Sequence, residues 1–136
     1  MTGAGGALQT AALGLLEALA ALNGAYPGPP LQAAVPYATV ESGGETDWGH
    51  KSGDGREVRL AVGLRDEGER PDRIRSLMGS VEAALGTAPD VPGWQLVSLQ
   101  FLRSRLLREG RGRESAWTAL IEYRARMLAL TPPSAS

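Results

Sequence analysis

Residues 117–128 have the sequence WTALIEYRARML, in which apolar and polar side chains alternate. A period of two is typical of a β-strand that buries one face. Residues 94–106, WQLVSLQFLRSRL, form a second apolar run, and the polar, glycine-containing residues 108–114 separate the two. Two long strands joined by a polar reversal predict a β-hairpin over residues 94–128.

Two shorter strands are predicted before this hairpin. One covers about residues 37–42, and the other covers residues 59–65, in which every second residue is Leu or Val. The polar, glycine-rich residues 43–57 lie between them and are numerous for a connection inside a small domain. Because such loops commonly bind a partner or are disordered, we expect residues 43–57 to form a partner-binding loop.

Two helices are predicted from apolar residues at spacings of three and four. The first covers about residues 7–22 and is expected to end at Asn23 and Gly24, whereas the second begins at Pro71 and ends at Gly86. Four prolines between the first helix and the first strand predict an extended crossing of the surface. The order α-β-β-α-β-β predicts an α+β fold with a mainly antiparallel four-stranded sheet and both helices on one face.

Length, charge and composition limit the classes of protein to which the chain can belong. The length of 136 residues predicts a single domain over residues 1–130, followed by a flexible tail over residues 131–136. A formal net charge of −1 gives no reason to expect bulk attraction to nucleic acid or to a membrane surface. The apolar N-terminal run contains Glu17 and is too short to cross a bilayer comfortably, so we expect no membrane partner.

Motifs that would indicate catalysis or cofactor binding are incomplete. Cysteine is absent and His50 is the only histidine, which excludes thiol nucleophiles and metal sites built from thiolates or several histidines. Residues 44–52 resemble a phosphate-binding loop, but His50 displaces Lys51 by one residue from the required register. Asp47, Asp54 and Glu57 lack the ligand spacing of a calcium loop. We therefore expect no enzyme, cofactor or metal.

Two groups of residues are candidates for partner contacts. Arg108, Arg111 and Arg113 lie in the predicted hairpin reversal, where they could contact a phosphate backbone or an acidic partner, or simply be solvated. Trp48 lies among glycines and charged residues, and an aromatic ring of that size is costly to leave in water. It is expected to pack on its own core or on a neighbouring molecule, and we favour the neighbour.

Several segments together resemble a family of small tail completion proteins of long-tailed bacteriophages and gene transfer agents. They are VPYATV at residues 35–40, DWGHK at 47–51, GDGRE at 53–57 and LVSL at 96–99. The resemblance covers about residues 7–128. It implies a tail terminator without catalytic residues: a ring, commonly a hexamer, that caps the head-proximal end of the tail tube, stops its growth and docks to the head connector.

The resemblance also implies the partners and the location. They are other copies of the chain, the tail tube protein and the head–tail connector, in a virion or phage-like particle assembled in the host cytoplasm, with DNA passing through the lumen without specific binding. The loop is then expected to reach the next subunit of the ring. The residues that match the family's loop motif are Trp48, Gly49, Lys51, Gly53 and Arg56. The resemblance implies that they take part in contacts within the ring or with the tube.

Two other functions remain open at this point. One is a neck or connector protein on the portal side of the same particle. The other is a small ligand-binding or enzymatic domain that uses residues 43–57 as a lid.

Overall fold

The computed structural model of the protein describes residues 3–49 and 53–130. His50, Lys51 and the predicted tail at 131–136 lie outside the described residues. Within the described ranges the elements, in chain order, are α1 (Ala4–Glu17), β1 (Ala25–Tyr26), β2 (Tyr37–Asp47), β3 (Gly55–Glu67), α2 (Asp72–Leu85), β4 (Trp94–Glu109), a 3-10 turn (Gly112–Glu114) and β5 (Ala116–Ala129).

The strands form one sheet in the order β1-β2-β3-β5-β4. The pairs β2–β3, β3–β5 and β4–β5 are antiparallel, whereas β1 pairs with β2 in parallel. The predicted α+β class is confirmed, but the prediction of a four-stranded sheet was wrong because it lacked β1. This strand is two residues long and is positioned by backbone pairing, including the Ala38 amide that donates to the Gly24 carbonyl at 3.0 Å.

The predicted hairpin of residues 94–128 is present as β4 and β5. The alternating residues of β5 from Trp117 to Met127 are buried, as the period of two predicts. Strand β4 lies at the edge of the sheet and is partly exposed along its length. Its register with β5 shifts between Leu96 and Ser98 and between Phe101 and Arg103, so that β4 carries two bulges.

Most of the predicted loop at residues 43–57 is instead a continuation of the β2–β3 hairpin. Glu45 pairs with Val58, and Asp47 pairs with Arg56, after a register shift between Ser42 and Glu45. The polar residues here do not alternate with apolar ones, but backbone pairing continues because it does not depend on side-chain polarity. Of the described residues of this segment, those outside the two strands are Trp48, Gly49, Gly53 and Asp54, which we call the β2–β3 turn.

Helix α1 ends at Glu17 and not at Asn23–Gly24 as predicted. The apolar spacing continues beyond Glu17 because two successive turns follow, in which the Leu19 amide donates to the Leu16 carbonyl and the Leu22 amide donates to the Leu19 carbonyl. Helix α2 agrees with its prediction, since it ends at Leu85 and the Gly86 amide donates to the Glu82 carbonyl at 2.9 Å.

Both helices pack against the same face of the sheet, which we call the helix face. The opposite face of β3 and β5 carries charged side chains and is called the open face. Burial of apolar surface on the helix face is the main stabilising contribution to the fold. The fully buried large side chains include Leu8, Leu16, Val58, Leu60, Val62, Leu64, Ile74, Leu77, Leu85, Ile121 and Met127.

Tyr123 is a polar exception on the helix face. Its ring makes an edge-to-face contact with Phe101, with 6.0 Å between ring centroids. Its hydroxyl is buried without a hydrogen-bond partner among the residues that the structure describes. Burial, together with the Glu82 carboxylate, raises the pKa of Tyr123 to about 12.

We predict that Tyr123→Phe is neutral or stabilising by about 1 kcal/mol, because it removes a buried hydroxyl that lacks a partner. A raised folded-state pKa contributes stability below the unfolded value of about 10, and this contribution is lost as pH rises through the folded value of about 12. The variant should therefore lose less stability than wild type between these pH values. Denaturant unfolding at several pH values measures this, with the partly buried Tyr37→Phe as control; equal losses in wild type and Tyr123→Phe would contradict it.

Candidate partner-binding surfaces

The register of the central strands places the two candidate groups at opposite ends of the sheet. Gly55 pairs with Leu128 at one end of the β3–β5 ladder, and Glu67 pairs with Ala116 at the other. The β2–β3 turn, which carries Trp48, is therefore at the first end, and the β4–β5 turn, residues 110–115, is at the second. Strand β5 has 14 residues, so at about 3.3 Å per residue the two turns are on the order of 45 Å apart.

The β2–β3 turn is held to the sheet by backbone bonds on both sides. The Trp48 amide donates to the Gly55 carbonyl at 3.0 Å, and the Ala129 amide donates to the Asp54 carbonyl at 2.8 Å. The Trp48 ring is half-buried, and the guanidinium of Arg126 lies 5.6 Å from its centroid. This cation–π contact places the ring against its own sheet on the open face, outside the apolar core. A contact of Trp48 with a neighbouring molecule stays a prediction.

Arg56 links this turn to helix α1. Its guanidinium lies 3.4 Å from the Glu45 carboxylate and 3.5 Å from the Asp47 carboxylate. The Glu45 carboxylate in turn accepts a hydrogen bond of 3.1 Å from the Gly5 amide in the first turn of α1. A carboxylate at this position satisfies a free helix amide and interacts favourably with the helix dipole. Arg56 therefore has an internal structural role at this end of the sheet.

The candidate glycines of this turn differ in how tightly they are packed. A Cβ atom on Gly53 would meet no atom of the described residues within 4 Å, and one on Gly49 would lie 3.3 Å from the Asp47 carboxylate. A Cβ atom on Gly55, which sequence analysis did not select, would lie only 2.3 Å from the Trp48 carbonyl oxygen. The close approach of backbone at Gly55 therefore fixes how Trp48 lies against the start of β3.

The three arginines of the β4–β5 hairpin also differ from one another. Arg108 donates from Nε to the Ser115 hydroxyl at 3.0 Å, and its guanidinium lies 5.3 Å from the centroid of the Trp117 ring. Arg111 and Arg113 are exposed. Arg108 thus stabilises its own hairpin, while Arg111 and Arg113 provide accessible positive charge at the turn.

The open face carries a network of charged side chains that sequence analysis missed. Glu57 of β3 pairs with Arg126 of β5 at 3.1 Å, and Arg103 of β4 hydrogen bonds with Glu122 of β5. The Arg103 guanidinium lowers the pKa of Glu122. The alternation of the sequence predicts that the polar positions of β3 and β5 face solvent. Which acid pairs with which arginine depends on the β3–β5 and β4–β5 registers, and the sequence does not reveal these.

A depression of about 560 Å³ lies on this open face. The described residues contain no group of three or more His, Cys, Asp or Glu side chains arranged to hold a metal ion. None of the helices in the described ranges is long and apolar enough to span a membrane. The residues lining the depression include Gly43, Arg59, Ala61, Leu102, Arg103 and Glu122.

Residues 7–128 match the family described as "Tail completion protein gp17". The chain is also similar to a solved chain in the virion of a native gene transfer agent particle, with a TM-score of 0.72 and 26% sequence identity, over 91% of this chain and 96% of that chain. No curated protein matches the sequence.

Together, the fold and these matches define a structural component of the tail or neck region of a phage-like particle. The chain belongs to the gp17 family of tail completion proteins. The resemblance found in the sequence is thereby confirmed over the same residues. This is a family of structural virion proteins.

We predict that Gly55→Ala destabilises the fold by about 1–3 kcal/mol, because the added methyl group collides with the Trp48 carbonyl and forces the backbone to move. Gly53→Ala is the matched control, since it adds the same methyl group where no atom of the described part of the chain lies within 4 Å. Denaturant unfolding of the two variants measures the difference. Equal stabilities would contradict the close packing described for this turn.

Proposed function

We propose that this tail completion protein forms a ring, in keeping with the family a hexamer, on the head-proximal end of the tail tube. The ring stops tube growth and provides the surface to which the head connector docks. The observation that carries this proposal is the match to the tail completion family over residues 7–128, supported by the similarity to a chain of a gene transfer agent virion.

The positions of the two turns support two different axial partners. A ring that joins a tube to a connector needs one contact surface on each of its sides. The β2–β3 turn and the β4–β5 turn lie at opposite ends of one sheet, and their chemistry differs. We assign one turn to the tail tube protein and the other to the connector or stopper protein. The residues proposed for these contacts are Trp48, Gly49, Lys51, Gly53 and Arg56 at the first turn and Arg108, Arg111 and Arg113 at the second.

DNA is proposed to pass through the ring without specific binding. The chain has a formal net charge of −1, and two arginines of the open face are paired with acids in the Glu57–Arg126 and Arg103–Glu122 contacts. A surface of balanced charge offers little of the counterion release that drives binding to a phosphate backbone. A lumen of this kind would let DNA move through it.

We predict that particles assembled without this protein contain headless tails of irregular length, because nothing would stop the tube or join it to the head. Electron microscopy of particles from a deletion strain measures tail length and head attachment, with the wild-type gene supplied in trans as control. Tails of normal length beside heads that leak their DNA would instead favour a connector on the portal side.

We predict that Trp48→Ala leaves the fold intact and blocks assembly at one side of the ring, whereas the double variant Arg111→Ala/Arg113→Ala blocks it at the other. One variant should give tails of irregular length, and the other should give headless tails of normal length. Circular dichroism checks folding, and electron microscopy of complemented particles checks the assembly defects. Wild-type particles from both variants, or the same defect in both, would overturn the assignment of the two turns.

A further inference from the structure

Most of the strongly exposed apolar side chains lie on the two lateral sides of the sheet. Strand β4 is the last strand on one side, and the connection between β1 and β2 lies on the other. Apolar side chains that gather on one surface commonly mark an interaction site. Among the described residues the large apolar side chains that are most exposed are Leu31 in the β1–β2 connection, Val97, Phe101 and Leu107 in β4, and Leu130 after β5.

The connection between β1 and β2 is an uncharged, proline-rich segment. We call residues 27–36 the arm, and four of its ten residues are proline. Pro29 and Pro30 restrict the backbone directly before Leu31. Leu31 is 104% exposed, so it is as accessible to water as in an extended peptide. No charged residue occurs from residue 18 to residue 40, which suits the arm to an apolar partner surface.

A row of directly opposite residues crosses the sheet from β2 to β4. Tyr37 of β2 pairs with Arg65 of β3, and Arg65 pairs with Thr118 of β5. Thr118 in turn pairs with Leu107 of β4. Opposite residues share one face of a sheet, and Thr118 is on the open face because an even number of positions separates it from Glu122. Leu107, which is 51% exposed, is therefore on the open face at the β4 end of this row.

The arm lies at the β2 end of the same row. Pro29 lines a small depression together with the β2, β3 and β5 members of the row. The last residue of the arm, Pro36, directly precedes Tyr37. Leu31 is two residues from Pro29, so their Cα atoms are at most about 7 Å apart. Leu31 and Leu107 thus lie at opposite ends of one row.

Ring symmetry brings the two ends of a row together. When the two turns are the axial sides of the ring, the strands run approximately along its axis. Rotation about this axis carries one copy onto the next without changing height, so the residues that meet across a joint come from the same height on opposite sides of the subunit. Such a contact joins unlike surfaces, and repeated contacts of this type close into a ring when the rotation permits.

The polar groups of the two surfaces are also complementary. Because proline has no amide hydrogen, the arm has more carbonyl acceptors than amide donors. Arg105 is exposed on β4, two residues before Leu107 and on the same face. A guanidinium group only donates hydrogen bonds, so Arg105 can bond to carbonyl groups of an arm packed beside it.

We propose that the arm of each subunit docks on β4 of the next subunit in the ring, with Leu31 packed against Leu107. The joint rests on the proposed ring and specifies how neighbouring copies are joined. It removes two exposed leucines from water at every contact. Both turns remain available to the axial partners, in contrast to the expectation that residues 43–57 reach the next subunit.

Cysteine cross-linking tests the contact directly, because the chain has no cysteine of its own. Mild oxidation of the assembled double variant Leu31→Cys/Leu107→Cys should link successive copies into a ladder that ends at the subunit number of the ring. An equimolar mixture of the two single variants should give linked pairs and nothing larger, since each copy then has one reactive side. The control is Leu31→Cys/Leu130→Cys, because Leu130 is as exposed as Leu107 but lies at the other end of the sheet.

Truncation of the two leucines measures their contribution to assembly. Leu31→Ser and Leu107→Ser should each raise the concentration needed for ring formation by about tenfold or more, because each removes one buried leucine from every joint. Leu130→Ser should assemble as wild type does. Mass photometry measures the subunit number, and denaturant unfolding checks that the exposed substitutions leave the fold of the single copy intact.

The outcomes separate the joint from the proposed function. Rings that form without the ladder, an equal ladder in the Leu130 control, or rings of either serine variant at the wild-type concentration would overturn the joint and leave the ring standing. A ladder without a limiting size would support the contact and overturn the closed ring. Wild-type protein that is monomeric at every concentration, with no ring at the neck of purified particles, would overturn both. A ladder of limited size and weaker assembly of the two serine variants support both.

Discussion

The antiparallel ladder between β3 and β5 is the constraint from which the rest of the structure follows. It pairs all 13 residues of β3 without a register shift, from Gly55 to Glu67. Its alternating side chains supply the apolar helix face and the charged open face. Because the ladder occupies the centre of the sheet, β2 and β4 flank it, and the two hairpin turns are fixed at its opposite ends.

The elements predicted well from the sequence are those whose pattern is repeated over many residues. Strand β5 and helix α2 each bury a full apolar stripe, and their side chains alone reveal the period. Strand β1 has two residues and no period to detect. The extension of β2 to Asp47 was hidden for a different reason, since its side chains are polar and exposed while its backbone remains paired.

The candidate contact residues could be predicted from the sequence only in part. Trp48 could be selected because an aromatic residue among glycines is unusual whatever surrounds it. Its contact with Arg126 could not be foreseen, because the two residues are far apart in sequence and meet only through the register of three strands. Likewise, Arg108 resembles Arg111 and Arg113 in sequence, but only the folded hairpin places it over Trp117 and beside Ser115.

The separation of the two turns bears on how the chain can act as a tail completion protein. The strands run the length of the sheet and the turns lie at their ends, so the two turns are reached from opposite ends of the sheet. The proposed contacts with the tube and with the connector use one end each, and a partner at one end leaves the other end free. The two proposed contacts are therefore compatible within one small domain.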